Sequence, residues 1–208
     1  MTEDEARAWL RDQLHVDDGR MAKLTVFADM VIAENECQNL ISPGSVAHIW
    51  ARHIVDSAQL VAIAAGEGDW LDLGTGAGFP GIVVAILRDG PVHCVEARKG
   101  RVAFLERAAD TLGLSNVNLH LCRLEALHTA PATVISARAF APLPKLLTLA
   151  HRFSTENTLW LLPKGRSAQS ELESVRATWQ GLFHVKQSVT DPDSGILVAK
   201  GVRRRLPA

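Results

Sequence analysis

The spacing of apolar residues changes along the chain from a helical period to short strand-like runs. In the first third, apolar positions recur every three or four residues, which predicts two amphipathic helices. One contains Met21, Leu24, Phe27, Ala28, Val31 and Ile32, and the other contains Val46, Ile49, Trp50, Ile54 and Ala58. Afterwards, apolar runs alternate with helical patterns, which is typical of a sheet covered by helices. We therefore predict a helical extension over residues 1–66, packed on a single α/β domain over residues 67–208.

The later apolar runs predict the strands of this domain. They cover residues 70–73, 91–95, 117–121, 133–137, 158–162, 183–189 and 196–199. Helical patterns follow the first five, at 81–87, 102–112, 145–150 and 168–179, except between the third and fourth strands. The last two runs are joined by a turn-rich segment and predict a hairpin. The expected fold is Rossmann-like and doubly wound, with a mostly parallel seven-stranded sheet and a C-terminal antiparallel hairpin.

A glycine-rich segment joins the first predicted strand to its helix and carries Gly74, Gly76 and Gly78. Glycines at this spacing let the backbone turn sharply and approach a ligand without a Cβ in the way. Gly76-x-Gly78-x-x-Gly81 fits the dinucleotide fingerprint. Asp72-x-Gly74-x-Gly76-x-Gly78 instead begins where the strand ends, and it resembles the first motif of class I S-adenosylmethionine (AdoMet) methyltransferases. We favour AdoMet, and NAD(P) or a turn without a ligand are the alternatives.

The second predicted strand ends on an acidic residue, Glu96, roughly twenty positions after the glycine loop. An acid at that distance accepts hydrogen bonds from both hydroxyls of a cofactor ribose, whereas it would repel a 2′-phosphate. The sequence therefore favours AdoMet or NAD over NADP. The alternative is a solvated acid at the end of a strand.

Basic residues cluster at three places, although the formal net charge of −1 does not indicate a nucleic-acid partner. The clusters cover residues 98–101, 164–166 and 203–205. The first two follow predicted parallel strands, at the edge where open α/β sheets bind ligands. We expect phosphate contacts from Arg101, Lys164 and Arg166 and from residues 203–205, and ordinary solvated surface is the alternative.

The segment after the fourth predicted strand, residues 136–142, lacks two motifs of other methyltransferases. It has no Asp/Asn-Pro-Pro-aromatic motif to hold an exocyclic amine, and no Pro-Cys pair to attack a pyrimidine carbon. A purine ring nitrogen already carries an in-plane lone pair, so it needs only alignment with the methyl donor in a dry site.

Several short motifs together resemble one family. They are Asn39-Leu40 and the segments at 52–57, 72–81, 136–141 and 162–165. Over about residues 20–200 the chain is similar to the bacterial 16S rRNA guanine-N7 methyltransferases, also known as glucose-inhibited division protein B. That family usually has Asp at the position of Glu96 and Lys at the position of Gly100.

The resemblance implies AdoMet as methyl donor and a guanine near the decoding region, in 16S rRNA or a 30S particle, as acceptor. It implies AdoMet contacts for Gly74, Phe79, Leu124, Glu125 and Arg138, with Arg138 beside the methyl-transfer centre. On the substrate side it implies Asn39, Arg52 and His53. The i, i+4 spacing lets Arg52 meet Asp56 on one helix face. His53 is interpreted as structural or substrate-orienting, because guanine N7 has no proton to remove.

Other features restrict the remaining classes of function. No His/Cys spacing fits a metal site, no apolar run reaches transmembrane length, and the acidic N-terminus is unlike a signal peptide. We expect a cytoplasmic monomer without a metal ion, a membrane contact or an obligate protein partner. A methyltransferase acting on a small molecule or a protein, and an NAD-binding domain, stay open as alternatives.

Overall fold

A computed structural model describes residues 1–64 and 66–205 of the chain. Its centre is a seven-stranded sheet with the order β3-β2-β1-β4-β5-β7-β6. The strands are β1 (Trp70–Leu73), β2 (Val92–Glu96), β3 (Val117–Leu121), β4 (Val134–Ser136), β5 (Leu159–Lys164), β6 (Trp179–Gln187) and β7 (Gly195–Arg204). The first five are parallel to their neighbours, and β7 is antiparallel to both β5 and β6. The predicted fold class is confirmed.

Helices cover both faces of this sheet. They are α1 (Glu3–Leu14), α2 (Asp18–Asn35), α3 (Pro43–Val46), a π-helix (Trp50–Val55), α4 (Asp56–Ile63), α5 (Gly81–Leu87), α6 (Lys99–Leu112), α7 (Leu143–Ala150) and α8 (Ala168–Val175). Helices α4 and α5 bury apolar side chains against one face of β1 and β2. Helices α7 and α8 bury theirs against the other face, around Trp160 and Leu162 of β5. None of the described helices is both long and apolar enough to cross a membrane.

The helices before β1 share one continuous core with the sheet domain. Leu10 of α1, Phe27 of α2 and Ile54 of the π-helix are fully buried in the same cluster as Ile82 of α5 and Leu105 of α6. Pattern reading did not predict α1, although Thr2 and Glu5 form a capping box at its start. The domain boundary between residues 66 and 67 stays a prediction.

Two predicted elements differ from the structure. The second predicted helix is three separate elements, α3, the π-helix and α4, because its i, i+3, i+4 pattern cannot reveal a change of helix type. Trp179 is not on the last helix but begins β6, where its buried indole faces the ring of His151 at a centroid distance of 5.3 Å. A large apolar residue near a helix end fits either element by spacing alone.

The strand order places the functional loops on one edge of the sheet. The chain moves outward from β1 to β2 and β3, then returns to the other side of β1 at β4. Ligands of doubly wound sheets bind at such a reversal, beyond the carboxyl ends of the strands. The loops after β1, β2, β3 and β4 all meet at this edge.

Candidate active site

The loop between β1 and α5 has a backbone that requires glycine. Gly74, Gly76 and Gly78 have φ angles of +69°, +61° and +97°, in the region that L side chains rarely adopt. The backbone N–H groups of Gly74 and Thr75 both donate to the carbonyl of Val95, at 2.9 and 3.1 Å. The loop is therefore folded onto the end of β2, which is where the register beginning at the end of β1 requires it.

Asp72 fixes the start of α5 relative to the sheet. Its Oδ2 accepts a hydrogen bond from the Gly81 N–H at 3.0 Å, and its Oδ1 accepts one from Ser136 Oγ at 2.7 Å. Ser136 in turn accepts from the Trp70 indole at 2.8 Å. The carboxyl is fully buried, and burial raises its pKa to about 6. Asp72 thus shapes the loop from beneath rather than contacting a ligand.

A cleft of about 400 Å³ opens beside the glycine loop, and we call it the cofactor cleft. Its lining includes Gly74, Glu96, Leu124 and Glu125, four residues predicted as cofactor contacts. The structure thus brings together residues that follow β1, β2 and β3. A cleft of this size with an acid at its centre suits a nucleoside cofactor of moderate size.

Glu96 is held in this cleft by the backbone on both sides of it. Its Oε2 accepts from the Gly76 N–H at 3.1 Å and lies 3.7 Å from Arg101 Nη1, and its Oε1 accepts from the Arg98 N–H at 2.8 Å. A carboxylate has about four acceptor positions, so two remain for the hydroxyls of a ribose. The atoms nearest to a Cβ built on Gly76 would be Arg101 Nη1 at 3.6 Å and the Gly74 carbonyl at 3.7 Å, which leaves room for a ligand. These residues fit AdoMet.

Arg152 holds the far wall of the cofactor cleft, and sequence reasoning missed it. Its Nη2 donates to the carbonyls of Leu124, Glu125 and Leu127, at 2.7, 2.9 and 3.1 Å. These carbonyls belong to the 3-10 turn after β3 (Leu124–Ala126) and the residue that ends it. Arg152 follows α7 in an otherwise apolar stretch, and no local motif marks such a contact. It fixes the turn against which the base of a nucleoside would pack.

Two predicted cofactor contacts lie elsewhere. Phe79 is outside the lining of the cofactor cleft and is buried, with its ring 5.3 Å from that of Phe27 and 4.9 Å from that of His53. A Cβ on Gly78 would lie 2.6 Å from the Phe27 ring, so Gly78 serves close packing against α2. The apolar surroundings draw both positions into the core, and the prediction that they reach the cofactor is not supported by this geometry.

A second cleft, of about 750 Å³, lies next to the first, and we call it the acceptor cleft. Residues 139–141 line both clefts and form the wall between them. Ala139 has a φ of +52°, a strained backbone conformation for alanine that is typical of functional sites. The ring of Phe140 covers Gly74, where an added Cβ would lie 2.6 Å from Phe140 Cδ2. The two clefts therefore meet at Phe140.

Arg138 lines the acceptor cleft rather than the cofactor cleft. Its Nη1 donates to the Arg52 carbonyl at 3.1 Å and to Asp56 Oδ2 at 3.4 Å, and its guanidinium lies 5.3 Å from the centre of the Phe79 ring. Burial lowers the pKa of Arg138 and raises that of Asp56, and the attraction between them opposes both shifts.

Arg52 and Asp56 do not pair, contrary to the prediction from their spacing. Asp56 bonds instead to Arg138, Gln59 and Thr190, with distances of 3.4, 3.0 and 3.4 Å. The π-helix changes the angle between successive residues, so an i, i+4 pair that crosses its end no longer shares a face. The Arg52 side chain is exposed at the rim of a third cleft, which continues from the acceptor cleft past Asp56 and Ser194.

His53 lies on the same π-helix and is poorly suited to accept a proton. Its Nε2 hydrogen-bonds with Ser45 Oγ at 2.9 Å, and its ring stacks on Phe79. Burial, with the charges of Arg138 and Arg52, lowers its pKa to about 3. The imidazole is therefore neutral at physiological pH, and its buried Nδ1 has no hydrogen-bond partner in the described part of the chain.

The basic residues predicted to face RNA around the acceptor cleft are held by acids. Lys164 Nζ lies 2.8 Å from Glu171 Oε2 and its side chain is only 10% exposed. Arg166 pairs with Asp193 at 2.6 Å, although its side chain is 84% exposed. Those two predictions assumed free cations, and the hairpin and α8 supply the partners. Asn39 is exposed in the loop after α2, next to Gln38, which donates to the Gly100 carbonyl at 3.3 Å.

The third predicted basic cluster is part of the sheet. Arg203 and Arg204 belong to β7, and the Arg204 guanidinium lies 5.4 Å from the centre of the Trp179 ring. Arg205 donates to the carbonyls of Arg176 and Trp179, at 2.9 and 3.3 Å. They lie at the end of β7 that pairs with the start of β6, beyond the position where β7 meets the start of β5. That is the edge opposite the clefts, so the prediction that this cluster contacts the same RNA is wrong for a ligand bound there.

The hairpin loop after β6 is tied to the helices below it. Gln59 Oε1 accepts from the Val189 N–H at 3.0 Å, and Gln59 Nε2 donates to Ser188 Oγ at 3.1 Å and to Asp56 Oδ1. Asp56 therefore connects this loop to Arg138. Within residues 1–64 and 66–205, no group of three or more His, Cys, Asp and Glu side chains is placed to hold a metal ion.

The fold has close counterparts among solved methyltransferases. The AdoMet complex of TYW2 from M. jannaschii aligns with a TM-score of 0.58 over 82% of this chain and 80% of that one, at 13% identity. An rRNA methylase from Streptococcus thermophilus aligns with a TM-score of 0.51 over 71% and 94% of the two chains, at 14% identity. The sheet order, the glycine loop and Glu96 together define a class I methyltransferase whose cofactor is AdoMet.

Sequence comparison identifies the family within this class. The family model for GidB, described as rRNA small subunit methyltransferase G, matches residues 20–195. The ribosomal RNA small subunit methyltransferase G of Novosphingobium aromaticivorans is 53% identical over 212 residues, which cover 100% of this chain and 92% of that protein. The corresponding protein of Rhizorhabdus wittichii is 52% identical over 99% of this chain and 95% of its own length. The chain belongs to the rRNA small subunit methyltransferase G family.

Proposed function

We propose that this protein transfers the methyl group of AdoMet to N7 of a guanine in small-subunit rRNA. The observation that carries the proposal is the pair of clefts that meet at residues 139–141, one fitted to the cofactor and the other open to a base. AdoMet, when bound, supplies an electrophilic methyl group on its sulfonium. The protein has to bring an acceptor atom in line with that group.

On the donor side, we assign the ribose hydroxyls to Glu96 and the adenine to Leu124 and Glu125. The support is that Glu96 keeps two acceptor positions after bonding to Gly76 and Arg98. Leu124 is buried at the far wall, and its backbone is fixed by Arg152. Gly74 lets the cofactor approach the backbone next to Phe140, at the junction of the two clefts.

On the acceptor side, we assign alignment of the guanine to Arg138 and Phe140, and no residue acts as a general base. Guanine N7 already has its lone pair in the plane of the ring, so no proton has to leave before the methyl group is transferred. His53 has a pKa of about 3 and cannot hold a proton near neutral pH. Arg138 is a buried cation at the cleft and can donate to an acceptor on the base edge, such as O6 of guanine.

We propose that the substrate is 16S rRNA, naked or in a 30S assembly intermediate, and that the guanine lies near the decoding region. We also propose that one copy of the chain acts alone in the cytoplasm. The support is that both clefts are built from a single chain. Arg52 and Asn39 are exposed where they could meet flanking nucleotides.

Methyl transfer to defined RNA tests the reaction. The purified protein should transfer labelled methyl from AdoMet to one guanine of 16S rRNA in 30S subunits from a strain that lacks this protein. A 30S particle assembled with 7-deazaguanine at that position should bind but accept no methyl, because N7 is replaced by carbon. A 30S particle assembled with guanine at that position is the matched control. Methylation of the 7-deaza particle would show that another atom is the acceptor.

A further inference from the structure

Four basic side chains form a surface beside the cofactor cleft, and we call it the basic shelf. They are Arg98 and Lys99 at the start of α6, Arg123 after β3, and Lys145 in the first turn of α7. Arg123 and Lys145 line the cofactor cleft itself. Lys145 also follows closely on residues 139–141, the wall that the two clefts share, so the shelf borders the place of methyl transfer.

The shelf differs in charge from the rim of the acceptor cleft. There, Arg138, Lys164 and Arg166 each lie within 4.0 Å of a carboxylate. Among the described residues, no carboxylate lies that close to the charged groups of the four shelf residues. The positive charge of the acceptor rim is therefore neutralised inside the protein, while that of the shelf faces outward.

The shelf residues are also free of competing internal bonds. Lys99 and Lys145 are exposed, and none of the four side chains donates a hydrogen bond within the part of the chain that the structure describes. Unpaired cations of one sign around a cleft raise the local concentration of an anionic partner and repel one another without it. The acids in the cofactor cleft, Glu96 and Glu125, do not cancel them, because Glu96 is committed to the backbone and Arg101.

We infer that the basic shelf binds the phosphate backbone of the RNA strand that carries the target guanine. This inference rests on the proposed function. The strand runs over the cofactor cleft, across α6 and α7, and only the target base enters the acceptor cleft between Phe140 and Arg138. Phosphate contacts position a nucleic acid without reading its sequence, so the shelf sets affinity while the acceptor cleft selects the base.

The test removes two shelf charges and compares the variant with a matched control. The shelf variant is Arg123→Gln with Lys145→Gln. The control is Arg176→Gln with Lys200→Gln, which removes one arginine and one lysine that are exposed and equally unpaired, at the opposite edge of the sheet. Both variants are assayed for kcat, for KM of RNA and for KM of AdoMet, at two salt concentrations that differ fourfold.

We expect the shelf variant alone to raise KM for RNA, with the methylated position and KM for AdoMet unchanged. Each phosphate contact contributes about 0.9 to the slope of log affinity against log salt, or about a 3-fold effect over that salt range. Losing two contacts should therefore narrow the ratio of variant to wild-type KM about tenfold at the higher salt.

Three results would overturn the inference. They are an unchanged KM for RNA, an equal rise in both variants, or a rise in KM for AdoMet as large as that for RNA. The last would place Arg123 and Lys145 on the cofactor instead. In each case the wild-type enzyme still methylates rRNA, whereas failure of the proposed function would appear as no transfer to rRNA by the wild type.

Discussion

Replacing Gly76 separates the cofactor role of the glycine loop from its structural role. Gly76 and Gly113 both have left-handed backbones, with φ of +61° and +59°. Gly76 borders the cofactor cleft, whereas Gly113 ends α6 and a Cβ there would meet no atom within 4 Å. Gly76→Val and Gly113→Val therefore impose the same backbone strain, about 1–2 kcal/mol or somewhat more for a β-branched residue.

The two variants should differ only in their response to AdoMet. At Gly76 the valine branches would project beside Arg101 and the Gly74 carbonyl, into the space that the ligand needs. Displacing the ligand should break two or more hydrogen bonds, each worth about 0.5–1.5 kcal/mol, so affinity should fall about tenfold to a hundredfold. Gly113→Val should bind AdoMet as the wild type does.

Isothermal titration with AdoMet, and thermal unfolding with and without it, measure both quantities. Without ligand, the two variants should lose similar melting temperature, about 2–4 °C for each kcal/mol of strain in a chain of this size. With saturating AdoMet, the wild type and Gly113→Val should gain stability and Gly76→Val should not. Wild-type affinity in a folded Gly76→Val variant, or an equal loss of affinity in both, would refute the reasoning.

Three further predictions concern the buried charges. Arg138→Lys keeps a cation opposite Asp56 but loses the planar guanidinium, so kcat should fall at least about tenfold while unfolding free energy changes by about 1 kcal/mol or less; a larger loss of stability than of turnover would contradict this. The raised pKa of Asp72, about 6, means that its carboxyl favours the fold at acid pH and that this advantage is lost as pH rises from about 4 to 6. Denaturant unfolding should show the wild type losing about 3 kcal/mol relative to Asp72→Asn over that interval, and parallel profiles would contradict it. Because the pKa of His53 is lowered to about 3, kcat of the wild type and of His53→Gln should have the same pH profile between about pH 6 and 9, without an inflection that only the wild type shows.

The sequence predicted best what depends on local period. The end of β1 at Leu73, the helix over residues 81–87 and the position of Glu96 at the end of β2 were all confirmed, because apolar runs and glycines determine them within a few residues. The parallel order also follows from alternating strands and helices, since crossover connections permit few arrangements. The cofactor half of the site was therefore largely predictable.

The acceptor half was less predictable because its contacts join distant parts of the chain. Arg138 and Asp56 are 82 positions apart, and Gln59 and Val189 are 130 apart. No local pattern distinguishes a lysine that pairs with an acid on the next helix, as Lys164 does, from one that faces solvent. The π-helix adds a change of phase that a period of 3.6 residues cannot detect.

These long-range bonds place the acceptor side under the control of one buried carboxylate. Asp56 bonds to Arg138, to Thr190 in the hairpin loop, and to Gln59, which in turn holds the backbone of Val189. An acid buried this far is costly unless its partners keep it satisfied, and here each partner lies on a different element. The orientation of Arg138 and the position of the hairpin loop are therefore coupled through Asp56. A base that entered the acceptor cleft would contact both, so the geometry that aligns the acceptor is fixed by the fold before the substrate arrives.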